Sequence, residues 1–188
     1  MQVQRLSEQQ RAGQRLMVGF DGTAFNDELR YAVDTLKVGG LILFSRNIVS
    51  PEQIRQLCND AQAYAAQNGQ PPLFIAIDQE GGVVARLKPP FTQFAGNPAM
   101  RGVDDAVAFA QITARELNAI GVNMNMAPVL DVAPANGPSV MQQRVFAGDP
   151  HWVALMGTTV IEHLQADGII AVGKHFPGIG RTVLDSHE

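Results

Sequence analysis

Cysteine and tryptophan are the scarcest residues in this chain of 188 residues, with one of each, and aromatic residues make up only 6%. A single cysteine, Cys58, excludes an internal disulfide, so the pattern favours a reducing compartment, the cytoplasm. Residues 1–14 lack the apolar core of a secretory signal. No apolar run approaches the ~20 residues needed to cross a bilayer, so no membrane partner is expected.

An excess of positive charge is also missing. The 14 lysines and arginines are outnumbered by 18 acidic residues, which gives a formal net charge of -4, and the basic residues are scattered singly. Surfaces that bind nucleic acid are typically basic patches or stripes, so no nucleic-acid partner is expected. A composition of 46% hydrophobic and 17% charged residues is typical of a single folded domain.

Strands and helices are predicted to alternate along the chain, as in an α/β fold. Short apolar runs without in-and-out alternation indicate strands buried on both faces of a parallel sheet. These predicted strands span residues 16–20, 40–44, 73–77, 122–126 and 169–172. The amphipathic stretches between them predict helices over residues 7–15, 27–37, 50–67, 104–120 and 150–166.

Three loops that follow predicted strands are the places to look for function. Residues 78–86 follow the third strand, in a stretch predicted to be irregular over 78–102. Residues 127–144 follow the fourth, in a stretch predicted to be irregular over 127–148, and residues 173–187 follow the fifth. Ligand-binding loops gather at the carboxyl ends of strands both in open α/β sheets and in TIM barrels. A complete barrel takes ~250 residues, so the sequence predicts either a smaller doubly wound sheet or part of a barrel.

The first two loops carry carboxylates and arginines. Residues 78–82 read Asp-Gln-Glu-Gly-Gly, with Arg86 close behind; this suits a ligand pressed against glycine backbone, although a solvated acidic turn is the alternative. In the next loop, Asp131 suits a ligand or a turn. The guanidinium of Arg144 suits an oxygen-rich ligand or an ion pair with Asp149.

The third loop gathers Lys174, His175, Asp185 and His187. The spacing of Asp185 and His187 allows a carboxylate to orient an imidazole, as a general acid or base requires. A glycine-rich turn with ordinary surface residues is one alternative. A metal site made of His175, Asp185 and His187 is another, because mixed histidine and carboxylate sets bind zinc or iron.

Taken in order, these motifs resemble the N-terminal barrel of glycoside hydrolase family 3, and within it the bacterial β-N-acetylglucosaminidases (β-N-acetylhexosaminidases) that trim peptidoglycan fragments during cell-wall recycling. The segments that carry the resemblance are residues 39–47, 77–82, 127–132, 174–178 and 185–187. The resemblance implies an α/β TIM-type (β/α)8 barrel of which about the first five βα units are present. Residues 1–188 would then be the N-terminal portion of a single barrel domain.

The resemblance also implies a reaction, an exo-acting retaining hydrolysis of terminal N-acetylglucosamine through a covalent intermediate, without a metal or organic cofactor. His187 would be the acid/base, oriented by Asp185. The expected partner is a saccharide that contains N-acetylglucosamine. Five residues would bind the hydroxyls of this sugar: Asp78, Arg86, Arg144, Lys174 and His175.

The sequence departs from the family pattern in three respects. The family nucleophile is an aspartate on a later strand, beyond residue 188. The alternative is therefore a non-catalytic, sugar-binding or vestigial half-barrel, which would need self-association or a second chain to cover its strand edges. Ile179 and Val83 stand where the subgroup usually has histidine and arginine. The choice between peptidoglycan-derived and chitooligosaccharide substrates therefore stays open.

Overall fold

The computed structural model describes residues 6–184, which divide into two compact units. The described residues up to Ile77, together with Leu117–Met124, form the first unit. Asp78–Glu116 and the described residues from Asn125 onwards form the second. The predicted Asp185 and His187 lie outside the described residues, so the structure does not test their assignment.

The first unit is built around parallel strands. Strand β2 pairs with β1 on one side, where Met17 lies opposite Gly40, and with β3 on the other, where Gly40 lies opposite Phe74. The elements are α1 (Glu8–Gly13), β1 (Met17–Val18), α2 (Asp27–Arg30), a π-helical segment (Tyr31–Thr35), β2 (Gly40–Leu43), a 3₁₀ turn (Ser45–Asn47), α3 (Pro51–Gln67) and β3 (Phe74–Ile77). The backbone N–H of Asn123 donates to Ile75 O at 3.1 Å, so strand β6 (Met124–Asn125) begins beside β3.

The second unit contains a hairpin, the loops of interest and the end of the sheet. Its backbone joins the end of β6 to the last strand, because Val172 N donates to Asn125 O at 3.1 Å. The elements are β4 (Gln79–Gly81), β5 (Val84–Ala85), a 3₁₀ turn (Asn97–Ala99), α4 (Val103–Ala119, whose last residues belong to the first unit), α5 (Pro150–Ala166) and β7 (Ile170–Ala171).

The helices begin where the sequence places a capping residue. The Ser7 hydroxyl accepts from Gln10 N at 3.1 Å while Ser7 N donates to Gln10 Oε1 at 3.0 Å, which is a capping box at the start of α1. Ser50 caps α3 and Asp149 caps α5, and in both helices proline follows at the first position. The caps satisfy backbone amides that have no partner within the helix.

Each unit buries its own set of apolar side chains. In the first unit the buried residues of α3 recur at one helical face, and strands β2 and β3 also carry buried apolar residues. In the second unit the ring of Phe94 packs edge-on against Phe109 of α4, with 5.1 Å between ring centroids. Among the helices of residues 6–184, none is long and apolar enough to cross a membrane.

The five predicted strands and five predicted helices are all present, although the strands are shorter than expected. The second helix is the main difference: α2 ends at Arg30 and the chain continues as a π-helical segment. The chain then turns through Lys37, with φ of 56°, to Gly39, where a Cβ would lie 2.3 Å from Gln14 O. The second difference is the β4–β5 hairpin, because residues 78–102 were predicted to be irregular throughout.

Candidate functional site

The hairpin fixes the backbone between Asp78 and Glu80. Gln79 N donates to Asn125 Oδ1 and Asn125 Nδ2 donates to Gln79 O, both at 3.0 Å, so the two residues clamp each other. The Gln79 side chain accepts from Leu87 N at 3.1 Å. Asn125 and Gln79 are buried, so these bonds are protected from water. Because side chains alternate along a strand, Asp78 and Glu80 are directed to the same side of this backbone.

The paired glycines have a different role from the predicted one. Gly82 has φ of 59°, and a Cβ there would lie 3.0 Å from Ala95 O and 3.2 Å from Gly96 Cα. Gly82 N also donates to Phe94 O at 2.8 Å. Protein backbone therefore occupies the space that the sequence analysis assigned to a ligand. The glycines let the hairpin pack against residues 94–96.

Carboxylates and cations form one connected cluster behind the hairpin. Lys174 Nζ lies 2.8 Å from Asp78 Oδ1 and 2.5 Å from Glu80 Oε1. Glu80 also accepts from Arg144 in a bidentate pair, at 2.8 Å from Nη2 and 3.0 Å from Nε. Arg86 Nη2 lies 3.4 Å from Asp78 Oδ2. Glu80 is the most buried member, with 2% of its side chain exposed.

Arg144 is held through its backbone as well as its guanidinium. The buried side chain of Asn97 donates from Nδ2 to Arg144 O at 2.9 Å. The sequence analysis offered Asp149 as a partner for Arg144, but the carboxylate that pairs with it is Glu80, and Asp149 caps α5. The pairing with Asp149 was therefore wrong.

A second pair, Asp131 and His175, lies next to this cluster along the chain. Asp131 Oδ2 is 2.6 Å from His175 Nδ1 and 3.2 Å from His175 N, while Asp131 Oδ1 accepts from Ile179 N at 2.6 Å. None of the Asp131 side chain is exposed, whereas 30% of the His175 side chain is. The carboxylate thus ties the imidazole to the start and end of the turn between residues 175 and 179.

The surroundings shift three pKa values. Burial acts to raise the pKa of Asp78, but the hydrogen bond and charge of Lys174 and the charge of Arg86 outweigh it, so this pKa lies below its ordinary value. Burial likewise opposes the hydrogen bonds from His175 and Ile179 at Asp131, whose pKa is also lowered. The hydrogen bonds from Arg144 to Glu80 raise the pKa of Arg144. All three groups are charged at neutral pH.

A cleft of about 490 Å³ opens beside these residues, within the range of small-molecule sites. Asp131, Lys174 and His175 line it, together with the exposed Arg181. Lys174 therefore connects the cleft to the carboxylates of Asp78 and Glu80. Charged groups that are partly exposed at a cleft are suited to bind a ligand rich in hydroxyl groups.

The five residues predicted to bind sugar lie in these two connected groups. Asp78, Arg86, Arg144 and Lys174 belong to one hydrogen-bonded cluster, and His175 follows Lys174 in the chain. The predicted role of each in binding remains a prediction, as does the dyad of Asp185 and His187.

The sequence analysis did not single out Glu80 as a site residue and left Asp131 open between a ligand and a turn. Glu80 lies two residues from Asp78, and the period of two along a strand was the signal that could have identified it. Asp131 had no such signal, because its partners lie 44 and 48 residues away.

The two departures from the family pattern lie in different environments. The side chain of Ile179 packs against the buried cluster of Val129, Met141 and Val145. Only its backbone N–H contacts a site residue, Asp131. Val83 is 61% exposed between β4 and β5.

Metal ligands were an alternative for this region. Within residues 6–184, no group of three or more histidine, cysteine, aspartate or glutamate residues is arranged to hold a metal ion. Two of the three residues in the predicted metal set, Asp185 and His187, lie outside that range. The carboxylates of the described cluster are instead paired with lysine and arginine.

Comparison with known proteins decides the family. The model of the glycosyl hydrolase family 3 N-terminal domain matches residues 7–188. The chain belongs to glycoside hydrolase family 3. A β-hexosaminidase of Pseudomonas aeruginosa is 40% identical over 179 residues, which cover 92% of this chain and 51% of that protein. β-Hexosaminidase A of Pseudoalteromonas piscicida is 38% identical over 173 residues, covering 88% of this chain and 29% of that protein.

Solved structures of this family have the same fold. A family 3 β-N-acetylglucosaminidase from Paenibacillus sp. str. FPU-7 superposes with a TM-score of 0.92 at 40% identity, covering 97% of this chain and 35% of that one. NagZ from Neisseria gonorrhoeae superposes with a TM-score of 0.79 at 29% identity, covering 92% of this chain and 52% of that one. The fold is therefore the α/β TIM-type fold of the family, and the doubly wound alternative is excluded. The chain spans about half the length of the Pseudomonas relative.

Proposed function

We propose that this chain supplies the sugar-binding half of an exo-acting retaining β-N-acetylglucosaminidase that removes terminal N-acetylglucosamine from peptidoglycan-derived or chitooligosaccharide substrates. The observation that carries the proposal is the cluster in which Lys174 bridges Asp78 and Glu80 at the edge of the cleft. Family membership and the β-hexosaminidase relatives support it. So does the likeness to NagZ from Neisseria gonorrhoeae in complex with N-trifluoroacetyl-D-glucosamine, with a TM-score of 0.79.

The cluster has the chemistry that a pyranose requires. Each sugar hydroxyl both donates and accepts a hydrogen bond. Carboxylate oxygens of Asp78 accept, while Lys174 and the arginines donate. Charge-assisted hydrogen bonds of this kind are stronger than neutral ones and depend on direction, so they fix the orientation of the ring. Holding the ring in one orientation places its anomeric carbon for attack.

The reaction then needs an acid/base and a nucleophile. We assign the acid/base to His187, with Asp185 as its orienting carboxylate, four residues after the cleft residue Arg181 in the sequence. This group protonates the leaving oxygen and then takes a proton from water. The covalent step also needs a nucleophilic carboxylate, which the proposal places after residue 188.

Sugar binding by the chain is the first test. Isothermal titration with N-acetylglucosamine should give saturable binding, which Asp78→Asn weakens about ten-fold because an amide replaces one accepting oxygen with a donor. The matched control is Asp104→Asn, since Asp104 is an exposed aspartate at the start of α4. Absence of saturable binding, or an Asp78→Asn variant that binds like the unaltered chain, would contradict the proposal.

Turnover of a chromogenic N-acetyl-β-glucosaminide distinguishes the glycosidase from the non-catalytic, sugar-binding alternative. Hydrolysis by a protein that contains this chain, abolished by His187→Ala or Asp185→Ala with sugar binding retained, supports the enzyme and its dyad. Binding without turnover supports the non-catalytic alternative. In that case a dependence of binding on protein concentration would indicate self-association.

We also propose a cytoplasmic location. Support comes from the thiol of Cys58, which is free and buried. Burial raises the pKa of this thiol to about 12, so it is a packing residue rather than a reactive one. Fractionation of producing cells tests the location, and recovery of the protein outside the cytoplasmic fraction would contradict it.

A further inference from the structure

We propose that Asp131 is a positioning residue that holds His175 in the tautomer with the proton on Nδ1, so that Nε2 faces the ligand as a hydrogen-bond acceptor. The part of this inference that concerns the ligand rests on the proposed function. The part that concerns the tautomer rests only on the contacts of the second unit.

The contacts of Asp131 show that its carboxylate acts only as a hydrogen-bond acceptor. Two backbone N–H groups, those of His175 and Ile179, donate to its two oxygens at 3.2 and 2.6 Å. A backbone N–H cannot accept, so both oxygens are acceptors. The third contact, 2.6 Å from Oδ2 to His175 Nδ1, is therefore a donation by the ring. With no part of the Asp131 side chain exposed, water does not compete for these oxygens.

The consequence for His175 concerns its other nitrogen. A neutral imidazole has one donor and one acceptor, so a proton on Nδ1 leaves the lone pair on Nε2. His175 lines the cleft and is 30% exposed there. Its neighbour Lys174 offers only donors, and the acceptors of Asp78 and Glu80 are carboxylate oxygens. In this tautomer the ring adds a nitrogen acceptor suited to the proton of a sugar hydroxyl.

Asp131→Asn should reverse the tautomer. The amide has one accepting oxygen. Directed at Ile179 N, it keeps the 2.6 Å bond to a backbone N–H that can only donate, whereas the His175 ring, also at 2.6 Å, can accept once its proton leaves Nδ1. The remaining donor pair is then the longer one, with His175 N at 3.2 Å. The amide NH₂ then faces the ring. Nδ1 must accept, and the proton moves to Nε2. Nε2 thereby changes from an acceptor to a donor, while the charge of the ring stays the same.

Nitrogen-15 NMR of the histidine rings, at a pH where they are neutral, measures this directly. His175→Gln identifies the His175 signals among those of the four histidines. We expect a protonated Nδ1 and an unprotonated Nε2 in the unaltered chain, the reverse in Asp131→Asn, and the original pattern in Asp131→Glu, which restores the carboxylate. Asp149→Asn is the matched control: Asp149 also accepts a backbone N–H, at 2.8 Å from Trp152, but among residues 6–184 it makes no hydrogen bond or ion pair with a histidine ring.

Affinity for N-acetylglucosamine provides the second readout. It should fall about five-fold in Asp131→Asn and be largely recovered in Asp131→Glu, as expected for one altered hydrogen bond. A proton on Nε2 in the unaltered chain would overturn the inference, and this result needs no variant to fold. A tautomer unchanged in a folded Asp131→Asn variant would also overturn it. If the tautomers behave as expected and no sugar binds, the positioning role stands and the proposed function fails.

Discussion

The polar groups at the strand ends of the two units are used differently. In the first unit, Asn47 is fully buried and its side-chain amide forms hydrogen bonds with the backbone. It accepts from Phe44 N at 2.9 Å and donates to Phe20 O at 3.0 Å and Gly22 O at 2.8 Å. Gln53 does the same with Val49 N and Thr23 O. These contacts fix the course of the loops, and a ligand cannot replace them without unfolding those loops.

The second unit also has amides bonded to backbone, in Gln79, Asn97 and Asn125, but its charged side chains pair with one another. Lys174 is shared by Asp78 and Glu80, and Glu80 is shared by Lys174 and Arg144. Shared, partly exposed charges can give up one partner to a ligand and keep another. The difference teaches that neutral amides on backbone mark a scaffold, whereas charged side chains paired with one another at a cleft mark a site.

The largest effect is expected when the most buried charge is removed. Glu80→Ala leaves Arg144 and Lys174 without their common carboxylate, and the free energy of unfolding should fall by about 3 kcal/mol. Urea unfolding followed by tryptophan fluorescence reports this, since the single tryptophan, Trp152, lies in α5 of the second unit.

Glu116→Ala is the control for that variant. Glu116 is also a hydrogen-bonded glutamate of the second unit, but its contacts with Thr92 are exposed, and its loss should cost at most about 1 kcal/mol. If Glu80→Ala lowered the free energy of unfolding no more than Glu116→Ala does, the buried charge cluster would not be a special source of stability in the second unit.

A smaller effect on stability, and none on binding, is expected at the scaffold amide. Asn47→Ala removes the three hydrogen bonds that this buried amide makes to backbone groups and should lower the free energy of unfolding by about 2 kcal/mol. Absorbance of the two tyrosines, Tyr31 and Tyr64, reports this change, because both belong to the first unit. Weaker binding of N-acetylglucosamine by the folded variant would contradict the assignment of Asn47 to the scaffold alone.

The smallest effect is the response of the second unit to acid. The folded pKa values of Asp78 and Asp131 are lowered because hydrogen bonds and nearby cations outweigh burial. The stability that these groups contribute is therefore fully present above the unfolded value, near 4, and is lost as the pH falls through the folded values. Urea midpoints from Trp152 fluorescence should fall below about pH 4 in the unaltered chain.

Asp78→Asn sharpens this measurement, because it removes one of the two carboxylates whose lowered pKa is expected to couple stability to acid. Its urea midpoint should start lower at neutral pH and fall less steeply with acid than that of the unaltered chain. Equal slopes in the two proteins would show that the lowered pKa of Asp78 contributes nothing to the stability of the second unit.

Much of the fold was predictable because it depends on local periodicity. Apolar runs placed all five strands, and Ser7 and Ser50 begin the predicted first and third helices because their hydroxyls cap backbone amides. The π-helical segment after Arg30 was not predictable in this way. Nor was the close approach that follows it, in which Gly39 lies against the backbone of Gln14, 25 residues earlier in the chain.

The positions of the charged residues after the strands were predictable, and the contacts between them were not. The sequence by itself determined the family, the order of the elements, and which charged residues follow which strands, because these are properties of neighbours in the chain and of spacing. Only the tertiary structure decided that Glu80 joins Arg144 to Lys174, that Asp131 holds His175, and that Gly82 packs against Gly96. Those choices depend on distances between segments far apart in sequence and on burial, which sets the strength of each charge pair.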